Sequence, residues 1–168
     1  MTVKDEQLVI QAKSGNKDAF ARIVERYYKH ILNFIFHFLG DEKLAQDLSQ
    51  ECFLKLFQKI GSFRGESKLK TFIYSIAKNL CFEYHRKAKG QPNLVKLFEF
   101  NSDPGEVKDS KREVMVDLAS DPLDDMIKKE TLSLIFKAIS SLPLEQRAVF
   151  ILSEQQNLPY ADIAKILK

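Results

Sequence analysis

Apolar residues recur at intervals of three and four through the first half of the chain, a spacing that predicts consecutive amphipathic helices. Val3, Leu8, Val9 and Ala12 outline a short one, closed by Ser14-Gly15, where glycine suits the left-handed residue beyond a helix end. Phe20, Ile23, Val24, Tyr27, Ile31, Ile35 and Phe38 give the second helix one long apolar face. Gly40 stops it, and Asp41 is placed to cap the next. Leu44, Leu48, Cys52 and Leu56 mark the third helix, with Phe53 and Phe57 beside them. Residues 60–67, IGSFRGES, hold two glycines and two serines and read as a loop. A fourth helix is predicted from about Ser67 to Ala88, its core face formed by Leu69, Phe72, Ile73, Ile76, Ala77, Leu80 and Tyr84. Strand-like alternation is missing, so the expected fold class is all-α.

Periodicity fades after Gly90-Gln91-Pro92. Residues 91–124 gain acid, Pro104, Gly105 and Pro122, and read as a flexible linker with a helical turn around Leu94–Phe100. Helical spacing resumes with Met126, Ile127, Leu134, Ile135, Ala138 and Ile139. Pro143 restarts the chain, Ala148, Val149, Ile151 and Leu152 follow, and Gln156-Asn157 turns it into a last helix from Pro159 through Leu167. Two small helical domains are expected, at 1–90 and 125–168, joined by a linker at 91–124.

Composition sharpens this picture only when it is divided along the chain. The net charge is +3, yet residues 59–90 carry eight basic residues against Glu66 and Glu83, and residues 103–125 carry eight acidic ones against three basic. That asymmetry predicts a local anion-binding surface followed by an acidic connector. No apolar run approaches the roughly 18 residues of a membrane span, so no membrane insertion is expected. Cys52 and Cys81 lie far apart and outside any CxxC pair, as reduced thiols of a cytoplasmic protein would. His30, His37 and His85 are scattered, with no HExxH, metal-spaced pair or glycine-rich phosphate loop, so neither metal, cofactor nor catalysis is expected.

Two helices carry candidate chemistry. On the third, Asp47, Gln50, Glu51, Leu54 and Lys55 fall opposite the Leu48-Cys52-Leu56 stripe, as a solvated face or an acidic docking face would. On the fourth, the positions expected to be exposed are Lys70, Tyr74, Lys78 and His85 in one row, and Thr71, Ser75, Asn79, Phe82 and Arg86 in another. Cations interleaved with aromatics suit phosphates and unstacked bases, although a basic solvated helix has the same composition.

The runs DLSQECFLKLF (47–57) and FRGESKLKTFIYSIAKN (63–79), with the basic end FEYHRKAKG, are similar to the second conserved region of sigma-70 family proteins of the extracytoplasmic-function group. SLPLEQRAVFILSEQQNLPYADIAKIL (141–167) resembles the fourth region of that family. The two likenesses stand in the family's order and cover about two-thirds of the chain. The resemblance implies a bacterial transcription initiation factor, active in a stress or signal response. It would bind core RNA polymerase, engage promoter DNA and be restrained by an anti-sigma protein. It further implies that Asp47, Gln50, Glu51, Phe53 and Leu54 dock on the clamp helices of the polymerase's largest subunit. Phe63, Arg64, Lys68, Lys70, Tyr74, Lys78, Asn79, Arg86 and Lys87 would engage the minus-ten element as it melts. Phe63 and Asn79 match positions near a pocket for a flipped base, where an aromatic stacks and an amide reads a base edge. Phe63 anchoring the loop to the core is the plainer alternative.

The sequence departs from the family pattern twice. Phe72 stands where family members commonly have Trp, which keeps the ring and loses the indole donor. YADIAKIL matches the first helix of a helix-turn-helix, and Lys168 follows with no recognition helix after it. Either a longer chain has been cut here or duplex reading by that route is lost. The first is expected, because Ile163, Ala164 and Leu167 keep an apolar face for a missing helix. A regulator that binds duplex DNA alone, and an adaptor that binds polymerase without reading promoters, are the rival readings.

Overall fold

A computed structural model describes residues 3–89 and 134–168. The expected linker and the periodic residues Met126 and Ile127 lie outside the described residues. Every regular element within them is helical, and the order is α1 (Asp5–Lys13), α2 (Lys17–Leu39), α3 (Glu42–Lys59), α4 (Leu69–Lys89), α5 (134–141), α6 (Leu144–Phe150) and α7 (Tyr160–Leu167). The all-α, two-domain expectation holds.

Local chemistry accounts for the boundaries of the first helices. Gly15 ends α1 at a φ of 89°, and Asn16 caps α2, its Oδ1 accepting from the backbone N–H of Asp18 at 3.0 Å and of Ala19 at 3.1 Å. Gly40, at a φ of 75°, terminates α2, and Asp41 caps α3 by accepting from the N–H of Leu44 at 2.8 Å. The predicted loop begins more tightly than expected, with a 3-10 turn over Ile60–Ser62, and α4 starts at Leu69. Asp5 ties α1 to α2 by accepting hydrogen bonds from both Arg26 and the Tyr27 hydroxyl. Arg26 also donates to the Val3 carbonyl at 2.8 Å.

The first unit is built around α2, which packs on α1, α3 and α4. Ile23, Ile31, Phe34, Ile35 and Phe38 of α2 meet Leu48, Cys52 and Leu56 of α3 and Ile73, Ala77 and Leu80 of α4 in one buried cluster. Each Leu, Ile or Phe among them contributes about 1.5–3 kcal/mol by leaving water. Burial raises both thiols, Cys52 to about 12 and Cys81 further, so both stay protonated and unreactive.

The same cluster continues into Ile139, Ala148, Ile151, Leu152, Leu158, Ile163 and Ile166, so the second unit shares a core with the first. α7 lies along α4, and a π-helical turn at Ile151–Gln155, which continues α6, packs on α2. The turn closes with the Gln156 N–H on the Ile151 carbonyl at 3.2 Å, and Asn157, at a φ of 48°, reverses the chain. This is the turn expected at Gln156-Asn157. Arg147 clamps the junction: its guanidinium donates to the Phe38 carbonyl at 3.1 Å, to the Ser140 carbonyl, and to the Leu142 carbonyl at 3.4 Å. The same group sits 5.4 Å over the Phe38 ring. Phe136 of α5 stacks on His37 of α2, with ring centres 5.4 Å apart and planes 8° from parallel.

Candidate nucleic-acid and docking surfaces

The outer face of α3 follows from its own periodicity. With Leu48, Cys52 and Leu56 in the core, Asp47, Gln50 and Leu54 emerge on the opposite side, together with Phe57 three residues further on. Leu54 is 64% exposed and Phe57 54%, an apolar pair beside an acidic end. Phe57, whose ring meets Phe20 edge-on at 5.0 Å, was read from the sequence only as a neighbour of the stripe. Its place three residues after Leu54 is the signal that would have found it.

Phe53 does not join that surface. It is buried and lies against Tyr28 at 6.1 Å, because its position turns it toward α2. Glu51 is partly held: its carboxylate pairs with Lys55 at 2.9 Å. Lys55 also reaches Glu83 at 3.8 Å, and Glu83 pairs with Lys87 at 2.8 Å. The Glu83 carboxyl is lowered by its hydrogen bond and attraction to Lys87, with Lys55 adding to it. A ladder of alternating charge thus joins the outer surfaces of α3 and α4 and engages Lys87.

The loop before α4 is shaped by contacts at both ends. Ser62 Oγ donates to the Lys59 carbonyl at 2.9 Å, and the Phe63 N–H donates to the Ile60 carbonyl at 3.2 Å. The Phe63 carbonyl accepts from Lys13 Nζ at 2.5 Å, which ties the loop to α1. The Phe63 ring lies against Phe72, centres 4.9 Å apart and planes inclined by 30°. Gly65 takes a φ of 76°, which L side chains rarely adopt. Arg64 and Glu66 face solvent, 4.0 Å apart.

One row of α4 departs from the expected exposure. Tyr74 is fully buried and Lys78 is 6% exposed. The prediction treated α4 as a helix with one covered face, whereas the second unit covers another. Tyr74 meets Phe34 edge-on at 5.5 Å and donates its hydroxyl hydrogen to Gln156 Oε1 at 2.6 Å. Burial raises the Tyr74 hydroxyl well above its ordinary value, so it remains a donor. Lys70 Nζ donates to the Gln156 carbonyl at 3.4 Å and lies 5.8 Å from the Tyr74 ring. Lys68 pairs with Asp162 at 3.2 Å. Lys78 Nζ sits 5.5 Å over the Phe82 ring. Burial lowers the affinity of both Lys70 and Lys78 for a proton, opposed at Lys70 by Asp162 and at Lys78 by Glu145.

The other row stays open beyond Thr71, which is buried. Asn79 and Arg86 are exposed, and Ser75 and Phe82 are half-buried. Asn79 follows Phe72 by seven residues, two helical turns, which places it on the side of α4 where Phe63 rests. The expected residues therefore divide into two groups. Phe63, Asn79 and Arg86 flank one side of the helix, while Lys68, Lys70 and Tyr74 meet the second unit and Lys78 is buried over Phe82.

Residues 23–91 match the family model for Sigma-70 region 2, and residues 132–168 match that for Sigma-70, region 4. The chain is similar to the RNA polymerase sigma-H factor of Pseudomonas aeruginosa, 32% identical over 98% of this chain and 83% of that protein. It is also similar to the ECF RNA polymerase sigma-E factors of Haemophilus influenzae and Escherichia coli. They are 29% and 28% identical over 97% of this chain, covering 83% and 82% of those proteins.

Proposed function

The chain belongs to the extracytoplasmic-function group of the sigma-70 family, and from that premise we propose how its surfaces divide the work of directing RNA polymerase to promoters. The α3 stripe of Asp47, Gln50, Glu51, Leu54 and Phe57 docks on the clamp helices of the polymerase's largest subunit. The observation that carries this reading is an acidic and apolar stripe exposed along one side of a helix whose other side is sealed in the core. Its carboxylates steer the encounter with a basic partner, and Leu54 and Phe57 supply the apolar contact that slows departure.

The loop at Phe63 and the open row of α4 engage the minus-ten element as it melts. Phe63 offers a ring to an unstacked base, Asn79 an amide to its edge, and Arg64 and Arg86 cations to phosphates. Lys68, Lys70, Tyr74, Lys78 and Lys87 extend that surface once their present partners release them. Bond making belongs to the polymerase, and the chain itself catalyses nothing. It works in the cytoplasm, restrained by an anti-sigma protein; among the described residues no helix is long and apolar enough to cross a membrane.

Reconstitution with core polymerase on a promoter library tests the reading. Promoter-dependent transcripts are expected, and Asp47→Lys with Glu51→Lys abolishes them while leaving helicity intact. Binding to core polymerase without any promoter-dependent transcript identifies an adaptor instead.

A further inference from the structure

Both backbone groups of Phe63 have partners, and the two come from different elements. Its N–H donates to the Ile60 carbonyl at 3.2 Å, inside the 3-10 turn. Its carbonyl accepts from Nζ of Lys13, 50 residues earlier in the chain. The platform behind Lys13 is firm. Leu8 and Val9 seat α1 in the core, and Asp5 near its other end accepts from Arg26 and Tyr27 of α2. α1 also packs on the 3-10 turn itself. Beyond Phe63 the loop is open: Arg64 and Glu66 face solvent, and Gly65 takes its left-handed φ of 76° with free space around it. α1 lies before residues 23–91, which carry the region 2 match.

We propose that Lys13 is a positioning residue for base capture: its ammonium holds the Phe63 carbonyl, and through that backbone the ring, where an unstacked base arrives. This rests on the reading of Phe63 as the capturing ring and adds the group that sets it in place. The physical argument is preorganisation. A loop residue ordered before the base arrives does not have to be ordered at the moment of capture, so that entropy loss no longer opposes the step. With its N–H and its carbonyl both held, residue 63 keeps one backbone conformation, and its half-buried ring rests on Phe72 with centres 4.9 Å apart. A lysine suits this role, because its three donors sit on a long stem and reach a carbonyl without a fixed fork geometry. In the last turn of α1 the cation also meets the negative end of the helix. An exposed cation beside a melting strand has a second use, direct contact with a phosphate. The bond to the carbonyl favours positioning, and salt dependence separates the two roles.

The test uses the full chain assembled with core polymerase, on a promoter recovered from the library reconstitution. Five forms are compared: native, Lys13→Met, Lys13→Arg, Phe63→Ala, and Lys13→Met combined with Phe63→Ala. Permanganate footprinting gives the rate of opening, and a salt series gives the slope of promoter binding. Lys13→Met is expected to slow opening roughly fivefold, the effect of losing one hydrogen bond of ordinary net strength, and to leave the salt slope and the melting temperature unchanged. Lys13→Arg keeps a charged donor within reach of the carbonyl and restores most of the rate. The double variant opens no more slowly than Phe63→Ala alone, because Lys13 acts through that ring. Opening at the native rate in Lys13→Met overturns the proposal. So do defects that multiply in the double variant, which place Lys13 on a separate path. A slope flattened by about 0.7 makes Lys13 a phosphate contact and overturns positioning. Failure of Lys13→Arg to recover any of the rate removes the hydrogen bond as the tie. Phe63→Ala is scored separately: a native opening rate there removes the underlying reading of the ring, whereas a slow Phe63→Ala beside a native Lys13→Met removes this proposal alone.

Discussion

Tyr74 and Gln156, 82 residues apart in the chain, share a buried hydrogen bond of 2.6 Å that joins the centre of α4 to the end of a π-helical turn. The π turn makes the bond possible, since its extra residue brings Gln156 inward just before Asn157 reverses the chain. The phenol is fully buried and Gln156 is nearly so, which leaves little water to replace a lost partner. Loss of one partner alone is therefore expensive.

Tyr74→Phe is expected to destabilise the chain by about 1–3 kcal/mol, the cost of stranding the buried Gln156 amide. Gln156→Leu in the same background removes the stranded group and restores much of that loss. A double-mutant cycle from denaturant unfolding measures the coupling; additive effects show that the bond does not hold the junction.

This bond marks where legibility from sequence ended. Gly15, Gly40 and Asp41 acted as their chemistry required, because caps and left-handed residues are decided within four or five positions. The core of the first unit was legible for the same reason: Leu48, Cys52 and Leu56 repeat at helical spacing, and burial follows the repeat. Tyr74 and Lys78 were misplaced because a helical pattern shows what a helix buries against its first partner. It carries no signal of a second partner brought in by residues 145–166. Phe53 is a different case: it matches a family motif, and its buried side chain turns toward Tyr28. Phe57 was legible from spacing alone, three residues beyond Leu54.

Replacing Leu54 by Asp tests the docking stripe without touching the core, since Leu54 is 64% exposed. Stability is expected to stay within about 0.5 kcal/mol of native. Affinity for core polymerase falls about tenfold or more, chiefly through faster dissociation, whereas Asp47→Lys acts on the association rate and more strongly at low salt. Surface-immobilised core polymerase separates the two rates. Equal association and dissociation rates for native and Leu54→Asp chains move the contact elsewhere.

His37 links stability to pH. Burial lowers its imidazole from the ordinary 6.5 to about 4, and its stacked neighbour Phe136 offers no charge in return. Because the folded value lies below the unfolded one, the unfolded chain binds the extra proton between those limits. The stabilisation is complete above about pH 6.5 and is lost as pH falls toward 4, a difference on the order of 1–3 kcal/mol. His37→Phe keeps the ring against Phe136 and is expected to flatten the stability curve between pH 6.5 and 4. An unchanged slope in urea titrations across that range assigns the acid sensitivity to other groups.

The open side of α4 offers the sharpest test of strand capture. Asn79 and Arg86 are both exposed, yet their chemistries differ. An amide donates and accepts at once and so distinguishes base edges, whereas a guanidinium neutralises phosphate whatever the sequence. The two substitutions are therefore expected to fail differently. Asn79→Ala relaxes preference at one minus-ten position and leaves the salt slope nearly unchanged. Arg86→Ala weakens all promoters alike and flattens the slope by roughly 0.7–0.9. Phe63 is a third case, because its ring already rests on Phe72 and must shift or offer its outer face to take a base. Phe63→Ala removes a stacking contact worth about 1–3 kcal/mol. It should slow opening of a duplex promoter more than it weakens binding to a pre-melted one. Permanganate footprinting follows opening, and salt-series binding on both templates follows affinity. If Asn79→Ala leaves every base preference intact while Arg86→Ala still flattens the slope, α4 contacts the backbone alone, and base selection lies elsewhere in the chain.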